Sequence, residues 1–134
     1  GTAVLAMAAA KSLPEQDRNI LASDIDQVAV DVAEANLAAN GVSDRVRCLV
    51  AEGFDHPDLK APQFDLIFAN ILKGPLVDLA PNVAERLKIG GFAILSGLLN
   101  EQSDQIISTY REVGVDLYRK LEVGEWTTLV LLRN

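Results

Sequence analysis

Asn70 directly follows an apolar run, and of the polar residues in this sequence it is the strongest candidate for a role in chemistry. Four of the six residues at 64–69 are bulky and apolar, so a strand buried on both faces is predicted there. In an open parallel α/β sheet, ligands bind at the carboxyl ends of the strands. The Asn70 amide can donate and accept hydrogen bonds, so we predict that it contacts a small molecule. The alternative is that it only hydrogen-bonds the backbone of the following turn.

Carboxylates follow two other strand-like runs. Asp24 and Asp26 come after the run at 19–23, and Glu52 comes after the run at 46–51. Asp26 is positioned to cap the next helix. Asp24 has two interpretations: a similar cap, or a carboxylate that accepts both hydroxyls of a ribose, as in nucleotide-binding α/β folds. Glu52 also has two, a ligand contact or a solvated loop residue.

Length and composition limit what this site belongs to. The chain has 134 residues, of which 49% are hydrophobic and 23% charged, and this suits one folded domain. A net charge of -7 disfavours binding to nucleic acid phosphates and favours a basic partner. Cys48 has no second cysteine to pair with and no signal peptide or long apolar span is seen, so a cytoplasmic protein without membrane contact is predicted. With His56 as the single histidine, no zinc site is expected.

Strands and helices alternate along most of the chain. The segments predicted to be strands are residues 19–23, 46–51, 64–69, 92–96, 115–122 and 126–132. The predicted helices are residues 2–11, the segment from Asp26 to Gly41, residues 76–87 with a break at Pro81, and residues 101–113. The connections at 12–18, 52–63 and 88–91 contain proline or glycine. The apolar positions of the second helix that fall close to helical spacing are Val28, Val32, Ala35 and Ala39.

This alternation predicts a three-layer α/β sandwich with a mostly parallel sheet. The last two strands are separated by Val-Gly-Glu and are predicted to form an antiparallel hairpin. A dinucleotide-binding fold usually keeps its sheet fully parallel, whereas a parallel sheet that ends in an antiparallel hairpin is typical of methyltransferases that use S-adenosylmethionine. The predicted architecture therefore resembles the class I S-adenosylmethionine-dependent methyltransferase fold.

Several motifs occur together along this predicted fold. They are Asn-Ile-Leu-Lys-Gly-Pro-Leu at 70–76, Leu-Ala-Pro at 79–81, Leu-Lys-Ile-Gly-Gly at 87–91, Leu-Ser-Gly-Leu-Leu-Asn-Glu-Gln at 95–102 and Glu-Trp at 125–126. In this combination the chain resembles the ribosomal protein methyltransferase family PrmA over nearly its whole length. Members of that family methylate amino groups of the large-subunit ribosomal protein numbered eleven.

The resemblance implies S-adenosyl-L-methionine as the cofactor and assigns roles to the polar residues above. Gly1 and Thr2 would bring backbone N–H groups to the methionine carboxylate. Asp24 would bind the ribose, and Glu52 would lie near the adenine. Asn70 would lie beside the cofactor and hold a substrate amine through its side-chain oxygen, ready for direct displacement on the methyl group. The substrate would be the lysine and N-terminal amino groups of a basic ribosomal protein, with no metal and no direct nucleic acid contact.

The resemblance also implies that parts of the family's catalytic unit are absent from residues 1–134. Family members carry the loop Asp-x-Gly-x-Gly-x-Gly, and residues 1–6 align with its last part, with Ala3 where the final glycine is usual. By this resemblance the chain is a catalytic-domain fragment that lacks the first strand and the N-terminal substrate-recruiting domain. Loss of a central strand exposes two strand edges, so we expect a weakened or partner-dependent fold and self-association through those edges.

Two other functions stay open. A nicotinamide-dependent oxidoreductase shares the acid after a strand and the glycine at a helix start, but it does not require the motifs at 70–76 and 95–102 or the final hairpin. A non-catalytic fragment would keep the fold without binding a cofactor. Among the remaining side chains, His56 is predicted to be a loop residue and Cys48 a core residue. Trp126 is also predicted to be core, with a substrate channel as its alternative.

Overall fold

The computed structural model describes residues 1–13, 19–61 and 63–134, in two compact units, Gly1–Lys60 and Ala61–Asn134. The helices are α1 Val4–Ser12, α2 Gln27–Ala39, α3 Pro57–Lys60, α4 Lys73–Asp78, α5 Ala80–Arg86 and α6 Ser103–Glu112, and a 3-10 turn, Asn100–Gln102, precedes α6. The strands are β1 Ile20–Asp24, β2 Val46–Val50, β3 Phe64–Asn70, β4 Leu87–Leu99, β5 Val115–Val123 and β6 Trp126–Arg133. Parts of two predicted connections lie outside the described residues. They are residues 14–18 of the connection at 12–18 and residue 62 of the connection at 52–63.

The first unit contains one parallel strand pair. β1 and β2 pair in register from Ile20 opposite Val46 to Asp24 opposite Val50, so the two strands end side by side. The helices α1 and α2 contact these strands, and their shared core contains Ala10, Leu37, Val42 and Val46. The predicted strands at 19–23 and 46–51 are thereby confirmed to within one residue.

Both ends of α2 agree with the sequence prediction, but its buried face does not. The Asp26 carboxylate caps the helix by accepting from the Val28 N–H at 3.0 Å. At the other end Gly41 has a φ of 69°, and the Val42 N–H donates to the Leu37 carbonyl at 3.0 Å, which is a Schellman ending.

The residues predicted to form the apolar face of α2 are exposed instead. Val28 and Val32 are 66% and 44% exposed, whereas the buried positions of the helix are Val30, Ala33 and Leu37. The helix has apolar residues on more than one side, so spacing alone could not select the correct stripe. Contact with Ala10, Val42 and Val46 through Leu37 selects the other one.

The second unit contains a mixed sheet with the strand order β3-β4-β6-β5. β3 pairs in parallel with β4, while β4 with β6 and β5 with β6 are antiparallel, which confirms the predicted C-terminal hairpin. The helix α6 contacts β5, α4 and α5. Fully buried side chains of this unit include Leu76, Leu87, Leu95, Leu98, Ile106, Tyr110, Leu129 and Leu131.

Three details of the second unit differ from the prediction or refine it. β3 is not buried on both faces, because its Asp65 and Phe68 side chains are exposed. The predicted turn at 88–91 lies inside β4, where pairing with β3 jumps from Leu87 to Phe92 across a bulge. The predicted helix break is present, since α4 ends at Asp78 and α5 begins at Ala80.

Four strands have a single paired neighbour among the described residues. β1 and β2 pair only with each other, and β3 and β5 end the second sheet. The expected exposure of two edges by a missing strand, the weakening of the fold and the self-association stay predictions. None of the described helices combines the length and the apolar character needed to cross a membrane.

Candidate functional site

Asp24 stands at the carboxyl end of β1 and is held by nitrogen donors. One carboxylate oxygen accepts from the Asp26 N–H at 3.0 Å, and the other contacts the terminal amino group of Gly1. The hydrogen bond from the Asp26 N–H stabilises the charged form of the Asp24 carboxylate. A carboxylate has about four acceptor positions, so each oxygen can accept a further hydrogen bond. Asp24 is therefore an ionised acceptor at the edge of the first unit.

The residues before α1 form a turn that leads into the helix next to Asp24. Ala3 is in the left-handed region at φ 65° and ψ 21°, a conformation that glycine adopts more easily. The Thr2 carbonyl accepts from the Asn36 side chain of α2 at 3.1 Å, which fixes this turn to the neighbouring helix. The N-terminus of α1 has no side-chain cap and no acidic residue in its first turn. Its N–H groups thus suit a negatively charged ligand group.

Glu52 lies at the same edge as Asp24. The N–H of Ala51 donates to the Asp24 carbonyl at 2.9 Å, so the chain leaves β2 beside the end of β1. The Glu52 side chain is exposed. The backbone carbonyl of Glu52 accepts from the Asp55 N–H at 3.0 Å in a tight turn. The first unit therefore brings together Gly1, Thr2, Asp24 and Glu52, the four predicted cofactor residues that it contains.

Asn70 is the predicted site residue of the second unit. It is exposed at the carboxyl end of β3 and pairs in register with Ser96 of β4. Its carboxamide oxygen lies over the Cα of Gly97, because a Cβ built on that glycine would be only 2.4 Å from it. Within the described residues no hydrogen bond joins this carboxamide to the turn backbone, which was the alternative role.

The motif at 95–102 explains how the second unit builds this edge. Ser96 and Gly97 lie in the irregularity of the β4 and β6 pairing, between Leu95 and Leu98. Just beyond β4, the Asn100 side chain accepts from the Thr127 hydroxyl at 2.7 Å and donates to the Gly124 carbonyl at 2.8 Å. These contacts attach the end of β4 to the turn of the hairpin.

Three other side chains of chemical interest have structural surroundings. The Nδ1 of His56 accepts from the Asp58 N–H at 3.0 Å at the start of α3, as a loop residue would. Cys48 packs against the core of the first unit, where burial raises the pKa of its thiol. The prediction of a core position for Trp126 is wrong, because this residue is 56% exposed. It opens β6, and the alternation of that strand buries Thr127, Leu129 and Leu131 instead.

Sequence reasoning missed Asn36 as a support in the first unit and Asn100 as a support in the second. Asn100 lies inside the motif at 95–102, which gave it no role, whereas Ser96 and Gly97 of that motif were predicted to form a structural turn. Asn36 had no signal, because only the folded chain places its amide against the Thr2 carbonyl.

The parallel strand pairs, the closing antiparallel hairpin and the polar groups at the strand ends define a class I S-adenosylmethionine-dependent methyltransferase fold. A SAM-dependent O-methyltransferase from Thermotoga maritima has this fold, with a TM-score of 0.78 at 17% identity over 99% of this chain and 56% of that chain. At this identity the likeness concerns the fold alone.

The sequence model of the family described as ribosomal protein L11 methyltransferase (PrmA) matches residues 1–134, and the chain belongs to this family. A ribosomal protein L11 methyltransferase from Brucella suis is 44% identical over 132 residues, 98% of this chain and 45% of that protein. The ribosomal protein L11 methylase structure from Lactobacillus delbrueckii subsp. bulgaricus has a TM-score of 0.89 at 31% identity, over 100% of this chain and 66% of that chain. The chain thus spans less than half the length of the Brucella relative.

S-adenosylmethionine is the cofactor of this class, and the groups of the first unit fit it. The start of α1, without a side-chain cap, suits the carboxylate of the methionine part. The ionised Asp24 suits the two ribose hydroxyls, and the exposed Glu52 beside it suits a polar edge of the base.

Proposed function

We propose that this chain carries the catalytic part of an S-adenosylmethionine-dependent N-methyltransferase whose substrate is a large-subunit ribosomal protein. The observation that carries the proposal is an exposed carboxamide, Asn70, at the carboxyl end of a parallel strand in a chain of the PrmA family. Lysine and N-terminal amino groups are the proposed acceptors. The proposal places the chain in the cytoplasm with that substrate.

The first unit has the binding role in this proposal. Backbone N–H groups at Gly1, Thr2 and the start of α1 bind the carboxylate of the cofactor. Asp24 stands at the carboxyl end of β1 and accepts the ribose hydroxyls through its carboxylate oxygens. Glu52 follows Ala51, whose N–H donates to the Asp24 carbonyl, and in this proposal it contacts the adenine.

Asn70 has the positioning role in transfer. The cofactor would supply a methyl group on a sulfonium. A neutral amine would attack that methyl carbon with its lone pair as the carbon–sulfur bond breaks, and the thioether S-adenosylhomocysteine would leave, so the lone pair must be aimed. The Asn70 carboxamide oxygen accepts an N–H of the amine and fixes that direction. It carries no charge, so it does not stabilise the ammonium form, which has no lone pair to react.

The charge of the chain supports a basic protein as the substrate. Acidic residues exceed basic ones, giving a net charge of -7. Opposite charge accelerates the encounter with a basic ribosomal protein and opposes contact with RNA phosphates.

The cofactor half of the proposal is tested by calorimetric titration with S-adenosylhomocysteine and, separately, with NADH. We expect the first ligand to bind and the second not to bind. Asp24→Asn should weaken S-adenosylhomocysteine binding at least tenfold, because the amide replaces one of the two acceptor oxygens by an NH2 donor and removes the charge. Asp26→Asn is the matched control: it removes the same charge two residues away, and asparagine caps a helix as well as aspartate does.

The transfer half is tested with labelled S-adenosylmethionine and purified ribosomal protein L11, using the protein as it occurs naturally. Asn70→Ala should lower kcat by about a hundredfold, as loss of a positioning group does, and leave S-adenosylhomocysteine affinity unchanged. Equal binding of NADH, or equal weakening by Asp24→Asn and Asp26→Asn, would contradict the cofactor assignment. A wild-type kcat in Asn70→Ala would contradict the role of Asn70.

A further inference from the structure

Gly97 has an unusually close side-chain neighbour. Its backbone has a φ of 81°, in the left-handed region, and a Cβ added to it would lie 2.4 Å from the Asn70 carboxamide oxygen. The next nearest atom, the Ile71 carbonyl oxygen, would be 3.5 Å away, which is ordinary contact. The space that a side chain at residue 97 would occupy is therefore filled by one atom of the Asn70 side chain.

Gly90 shows that a positive φ alone does not explain this arrangement. It lies on the same strand β4 and has the same φ of 81°, yet a Cβ added there would meet nothing within 4 Å. Both glycines satisfy the same backbone requirement. Only Gly97 combines it with a steric requirement set by Asn70.

A methyl group at residue 97 would displace the carboxamide and not the strand. Ordinary contact begins at 3.4 Å, so the oxygen would have to move by about 1 Å from its 2.4 Å position. The carboxamide is the exposed end of a side chain and can rotate away at little cost in folding free energy. A displacement of this size at a reacting group can nevertheless lower a rate about a hundredfold.

We propose that Gly97 is a positioning residue for methyl transfer, because its missing side chain lets the Asn70 carboxamide lie across β4 in the orientation that holds the amine. This inference rests on the proposed function through the role of Asn70. It assigns to the Ser-Gly step of β4 a part in the chemistry beyond shaping the strand.

The test compares Gly97→Ala with Gly90→Ala in the protein as it occurs naturally. Both variants place alanine at φ 81°, so both should lower the melting temperature by a similar amount. Gly97→Ala alone should lower kcat by about a hundredfold, with the KM for ribosomal protein L11 and the affinity for S-adenosylhomocysteine unchanged. In an Asn70→Ala background, Gly97→Ala should cause no further loss of kcat, because it acts through the carboxamide.

A second readout does not depend on activity. In heteronuclear NMR spectra, Gly97→Ala should shift the side-chain amide resonances of Asn70, and Gly90→Ala should leave them in place. An equal kcat in the two glycine variants would overturn the proposal, as would an undiminished effect of Gly97→Ala in the Asn70→Ala background. If Gly97→Ala failed to fold while Gly90→Ala folded, the contact would be with rigid structure, and the proposal would also be wrong.

The two proposals can fail separately. A wild-type kcat in Asn70→Ala would overturn the proposed role of Asn70 in transfer. The NMR comparison would still decide whether Gly97 sets the carboxamide position, and unchanged Asn70 resonances in Gly97→Ala would overturn that assignment by itself.

Discussion

Asn100 is predicted to be a main support of the C-terminal hairpin, and its contribution can be worked out from its contacts. Its side chain accepts from the Thr127 hydroxyl at 2.7 Å and donates to the Gly124 carbonyl at 2.8 Å. Thr127 is only 1% exposed, so loss of its partner leaves a buried hydroxyl without its hydrogen bond. Asn100→Ala removes the hydrogen bond to Gly124, which is worth about 1 kcal/mol, and the unsatisfied Thr127 hydroxyl costs roughly 1–3 kcal/mol. The variant should lose about 2–4 kcal/mol of unfolding free energy.

A second substitution separates the buried hydroxyl from the rest of this loss. Thr127→Val removes the hydroxyl with little change of shape, so nothing buried is left unsatisfied when Asn100→Ala is added. The double variant should therefore be more stable than the sum of the two single losses predicts, by about 1–2 kcal/mol. Thr128→Val is the control, because Thr128 is the next residue of β6 and faces the other side of the sheet.

Urea unfolding followed by tryptophan fluorescence measures these differences. Trp126 is the single tryptophan and adjoins Thr127, so its signal reports on the hairpin itself. Additivity of Asn100→Ala and Thr127→Val within about 0.5 kcal/mol would refute the reasoning, since uncoupled sites behave in this way. The same non-additivity with Thr128→Val would refute it too.

Three further predictions concern stability. Ala3→Gly should raise the free energy of unfolding by roughly 0.5–1 kcal/mol in urea titrations, because Ala3 has a φ of 65°; a loss would contradict this. Gly91→Ala should lower it by about 1–3 kcal/mol, because the new Cβ would lie 2.8 Å from a backbone oxygen, and a neutral effect would show that this strand yields. Burial raises the pKa of Tyr110 above its ordinary 10.0, so its contribution to stability is complete below that pH and is lost as pH rises above it. At pH 7, Tyr110→Phe should lose about 1 kcal/mol of unfolding free energy, because it lacks the hydrogen bond to the Leu76 carbonyl. Above pH 10, its unfolding free energy should fall less steeply with pH than that of the control Tyr118→Phe, which removes an exposed phenol and keeps the buried one. Equal slopes would contradict the assignment.

Much of the fold follows from local sequence signals. The limits of β1 and β2 follow from apolar runs, and the ends of α2 follow from an acidic cap and an Asn-Gly pair, so these agree with the structure. The hairpin at the C-terminus was predicted for the same reason, two strand-like runs with a short glycine turn between them. Such signals act within a few residues and survive any tertiary arrangement.

Features that depend on distant partners were not predictable in this way. The buried stripe of α2 is set by what Leu37 contacts, and the exposure of Trp126 is set by where β6 begins to pair. The length of β4 depends on a bulge opposite β3, which no local pattern at 88–91 reveals.

For the candidate site, too, local signals predicted some features, while others depend on distant partners. Strand ends placed Asp24 and Asn70 at sheet edges from the sequence alone. The role of Gly97 needs the register between β3 and β4, which brings Asn70 opposite Ser96 and thus beside the glycine.

The most direct test of the account is the pH dependence of methyl transfer by Asn70→Asp, measured beside the wild type and Asn70→Ala. Aspartate keeps the shape and the acceptor oxygen, but its charge stabilises a protonated amine and raises the pKa of that amine. We predict that the kcat of Asn70→Asp is low at neutral pH and recovers toward the wild-type value as pH rises, while Asn70→Ala stays slow at every pH. A profile for Asn70→Asp with the same midpoint as the wild type would contradict the claim that Asn70 holds a neutral amine for transfer.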